Sequence, residues 1–155
     1  MQLRKFEEKV LKTKESGSVF PILHKLEQLH NPHEHFLYSV AHLDGPASGI
    51  ILFNDTKCWF HSVCLDASML GEPSWRLYAI VELTPEQIEL EDHINQLQQD
   101  IVGDYCTYRE GVKGHIYNGN ETYSQWCEIT QQYSYLRSKV HFNYMKNEVI
   151  GWFAY

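Results

Sequence analysis

The chain predicts an α+β fold, one domain over residues 1–155, with a mainly antiparallel sheet of about five strands packed with two to four helices. Three observations lead there. Apolar residues recur at helical spacing in separate segments, short aromatic and β-branched runs stand between Gly, Pro, Asn and Asp clusters, and no repeat, low-complexity tract or linker divides the chain. At 43% apolar and 14% aromatic content, 155 residues can bury an ordinary core without a stapling metal.

Taken in order, residues 2–14 read as a charged helix, with Leu3, Phe6, Val10 and Leu11 at helical spacing. Gly17 and its neighbouring serines break it. Pro21 suits the next helix start, and Ile22, Leu23, Leu26 and Leu29 carry that helix to about His30. Pro32 ends it, because the residue before a proline is pushed out of the α region. Strands are expected at 36–43, 50–53, 58–65 and 75–83. Residues 44–49 read as a loop and 54–57 as a hairpin turn.

The clearest helix starts at Thr84, with Pro85 in the first helical position and Gln87 at capping-box spacing. Leu90, Ile94, Leu97 and Ile101 form its inner stripe, Ile88 falls off that stripe, and Glu89, Glu91 and Asp92 are expected on the outer face. Gly103 sits where a C-terminal cap belongs. A loop at 104–121 and an amphipathic helix at 122–139 follow, the latter with Trp126, Ile129, Tyr133 and Leu136 on one face. A strand at 148–155 closes the chain.

Charge is unevenly spread. Within a formal net charge of −7, residues 1–25 carry +3, residues 26–104 carry −11 and residues 105–155 carry +1. The middle block sets only Lys57 and Arg76 against thirteen acids, which disfavours nucleic-acid backbone and suits a basic protein partner. No apolar stretch approaches the roughly 18 residues of a membrane span, and the charged first residues lack the apolar block of a secretory signal. A cytoplasmic protein without membrane contact is therefore expected. Its four cysteines then default to thiols, and the glycosylation triplets at Asn54 and Asn120 count as chance matches.

Motifs that would carry chemistry are incomplete. His30-Asn-Pro-His-Glu-His35 is the densest histidine cluster, and His33 and His35 would share a face if the following strand reached back to them. The stretch lacks the completing ligands of cupin-type barrels and of metallo-hydrolases, where Leu37 replaces the required aspartate. It reads as a helix-to-strand junction, with His33 and His35 as weak metal candidates and no cofactor expected.

Cys58 and Cys64 face the same way on a strand but stand roughly 20 Å apart, too far to share an ion, and read as core residues. No His-x-Thr/Ser pair, G-x-S-x-G elbow, phosphate loop or G-x-G-x-x-G is present. Cys106 with His115 or His141 could form a thiol site only if the fold joins them.

The loop at 105–123 is more suggestive. Tyr105, Tyr108, Arg109, Lys113, His115 and Tyr117 cluster there, and Tyr and Arg are enriched at binding hot spots because they bury apolar area while keeping a polar end. The sequence is therefore read as a non-enzymatic protein-interaction module of regulatory, inhibitor or immunity type. It would use an acidic surface that includes Glu89, Glu91 and Asp92 together with this loop. The alternatives are a small metal- or thiol-dependent hydrolase or transferase, or a nucleotide or small-ligand binder. A homo-oligomer could form if the C-terminal strand were an exposed edge.

Overall fold

The computed structural model describes residues 1–16, 19–42, 46–64, 76–102, 131, 135 and 143–155. In chain order these form helix α1 (Leu3–Ser16), short helix α2 (Phe20–Leu23), strand β1 (Glu27–Gln28), a 3-10 turn (Pro32–Glu34) and strands β2 (Phe36–His42), β3 (Pro46–Phe53), β4 (Thr56–Cys64) and β5 (Leu77–Val81). Helix α3 (Pro85–Val102) and strand β6 (Val149–Ala154) complete them. The α+β class expected from sequence is what the chain adopts, with a six-stranded sheet ordered β1-β6-β5-β4-β3-β2. All neighbours run antiparallel except β1 and β6. Contacts group the residues into two compact units, Met1–Leu83 with Asn143–Tyr155, and Thr84–Phe142.

In the first unit, α1 buries Leu3, Phe6 and Val10 and packs on β4, while Leu11 stays 47% exposed. Its first free N–H groups are satisfied by the chain near the C-terminus: Leu3 N donates to Asn147 O at 2.9 Å and Arg4 N to Met145 O at 3.0 Å. β3 and β4 meet through a two-residue turn in which Asn54 and Asp55 both take positive φ, 49° and 59°. Asn and Asp tolerate that conformation, and the turn's twist matches the hairpin's.

The sheet is strongly curled. In a flat sheet β2 and β6 would stand about 19 Å apart, four steps of ~4.8 Å. Yet the Phe36 ring on β2 lies 5.8 Å from Phe153 on β6 and 5.0 Å from Phe60 on β4. The concave side thereby closes over Ile51, Phe53, Cys58, Phe60, Tyr78, Ile80 and Phe153, with Leu29, Phe36 and Ile150 packed against them. Tyr78 and Phe153 stack at 4.6 Å and 6°. Glycines permit the curl. A Cβ at Gly49 would sit 2.2 Å from the Tyr38 carbonyl oxygen, and one at Gly151 would sit 2.8 Å from the Phe53 ring.

Several expectations are corrected. The helix expected through His30 stops at Leu23, and β1 takes part of its span. Backbone bonding to β6 outcompetes helical propensity there, as Leu29 N donating to Trp152 O at 2.9 Å illustrates. β3 begins at Pro46, inside the stretch expected to be a loop. β6 lies inside the sheet, between β1 and β5. Its outer side is also bonded by the N-terminal residues, through the Gln2–Glu148 bridge and Val149 N donating to Met1 O. The C-terminal strand is therefore not the exposed edge that self-association would need.

In the second unit, α3 presents a different face from the one expected. Glu91 is 1% exposed beside buried Ile94, whereas Leu90 is 37% exposed. Ile88, half-buried, sits three residues before Glu91 and shares its side, which accounts for its departure from the expected stripe. Apolarity alone misjudged the rotation of this helix because a carboxylate occupies the inward position. Glu91 is thus removed from the outer acidic face.

Candidate functional site

The outer side of α3 is the part of the expected binding surface that can be built residue by residue. Its start is fixed by a reciprocal capping box: Gln87 N donates to Thr84 Oγ1 at 3.2 Å, and Thr84 N donates to Gln87 Oε1 at 2.9 Å. With the first turn so set, Glu86, Glu89, Leu90 and His93 are exposed, and Asp92 is half-buried at their margin. No Lys or Arg occurs between Arg76 and Arg109, so the helix carries no Lys or Arg to offset these acids. The result is an acidic face with one apolar side chain in it. Glu86, not among the acids expected there from sequence, also belongs to it; its exposure follows from its position one turn before Leu90.

The other binding residues expected from sequence, Tyr105, Tyr108, Arg109, Lys113, His115 and Tyr117, lie outside the described residues. So do Cys106, His141 and most of the helix expected at 122–139. Of that helix Gln131 and Tyr135 are described, both helical and both exposed.

His33 and His35 do not form the pair that strand alternation would give. His33 belongs to the 3-10 turn and is largely exposed, with Nε2 3.9 Å from Glu34 Oε1, while His35 caps the turn before β2 begins. Asn31 precedes it with a left-handed φ of 52°, so the segment joins β1 to β2 and not a helix to a strand. Among the described residues no three His, Cys, Asp or Glu side chains are grouped to hold a metal ion.

The strand around Cys58 divides its side chains as alternation requires. Cys58 and Phe60 enter the concave core, while Trp59 meets Tyr144 at 4.8 Å and His61 Nε2 lies 3.7 Å from Glu7 Oε1 of α1. Ser48, 5% exposed, is the cross-strand partner of His61. The Glu7–His61 approach has no signal in the sequence, since it depends on how α1 lies on β4. Burial, reinforced by the charge of Glu82, pushes the Cys58 thiol up to about 11, so it is a poor nucleophile at neutral pH. Burial likewise raises the Tyr78 hydroxyl, against the lowering effect of Arg76, and that hydroxyl donates to Pro46 O at 2.7 Å. Both groups are built into the core.

No family model, curated protein or solved structure matches the chain. Among the described residues no helix is long and apolar enough to cross a membrane.

Proposed function

We propose that the protein is a non-enzymatic protein-interaction module of regulatory, inhibitor or immunity type, and that the outer side of α3 receives a basic partner. The observation that carries this reading is the exposed set Glu86, Glu89 and Leu90 on a helix with no Lys or Arg. Acids at the rim of a contact steer a cationic partner and fix its register, and an apolar side chain among them supplies area to bury. Nucleic-acid backbone is repelled by the same charges. The reading places the protein in the cytoplasm, where thiols such as Cys58 and Cys64 stay reduced.

Residues 105–123 are proposed as a second anchor through Tyr108 and Arg109, a pairing of the residue types that dominate binding hot spots. A homo-oligomer through β6 forms no part of the proposal, since that strand is bonded on both sides.

The test begins with a photo-cross-linking residue at position 90, used in an extract of the host to capture a partner that is then purified. Glu86→Gln/Glu89→Gln should weaken its binding about fivefold, mainly by slowing association. Unchanged affinity, or no cross-link at position 90, removes α3 from the proposal. Tyr108→Ala and Arg109→Ala probe this segment separately. Each should raise Kd by about tenfold if the segment is an anchor, and affinity within about twofold of the parent would discard it.

A further inference from the structure

We draw no further inference here: the strongest candidate, the Glu7–His61–Ser48 cluster where α1 packs on β4, carries nothing because its groups belong to the packing of that helix on the sheet and nothing in the structure points to a ligand or substrate there.

Discussion

Gly49 and Gly151 are positions where one methyl group decides whether the sheet can curl. At Gly49 the obstacle is backbone, the Tyr38 carbonyl oxygen at 2.2 Å, so no side-chain movement relieves it. Gly49→Ala should therefore cost about 3 kcal/mol, the upper end of overpacking penalties, read as a lower denaturant midpoint. A loss below about 1 kcal/mol would mean that β2 can shift away. Cys58 makes a second prediction. The folded protein holds its thiol proton up to about 11, whereas the ordinary thiol value is 9.0. The unfolded chain releases that proton first, so this group's contribution to stability is full below about 9 and is lost as pH rises to about 11. The loss is at most about 1.4 kcal/mol per pH unit. Cys58→Ala should remove that part of the slope, and parallel wild-type and variant curves would contradict the assignment.

At the scale of elements, local chemistry was the legible part. Thr84, Pro85 and Gln87 announce α3, and its capping box forms as their spacing requires. Thr84→Ala should cost about 1 kcal/mol and speed amide exchange in the first turn of α3, while Thr84→Ser should retain most of the stability. Equal exchange in the alanine variant would show that the cap is not what holds this end. Asn54-Asp55 likewise marks the β3–β4 hairpin, because two residues that accept positive φ stand between strand-forming runs. What stayed hidden depends on partners distant in sequence. Ile22, Leu23, Leu26 and Leu29 match a helical period, yet Glu27–Gln28 gain a strand partner only when β6 arrives. The rotation of α3 was hidden for a related reason: a hydropathy stripe cannot announce that Glu91 is buried and Leu90 is not. Of the proposed contact surface, Glu89 is readable from the sequence, whereas the exposure of Glu86 and the burial of Glu91 depend on how α3 is rotated.

At the scale of the whole molecule, charge is segregated along the chain. The exposed side of α1 carries Arg4, Lys5, Lys9, Lys12 and Lys14, with Glu8 paired to Arg4, whereas the exposed side of α3 carries Glu86 and Glu89 and no Lys or Arg. A basic partner of the proposed kind would be drawn to α3 by these charges, which raises its encounter rate. Such steering is screened by salt, with a Debye length of about 10 Å at 0.1 M. The most direct test is the Kd of the purified partner for the wild-type and Glu86→Gln/Glu89→Gln chains at about 50 mM and about 300 mM salt. Wild-type binding should weaken with salt, and the two chains should converge at high salt. A Kd indifferent to salt, or equal for the two chains at low salt, would contradict the proposal.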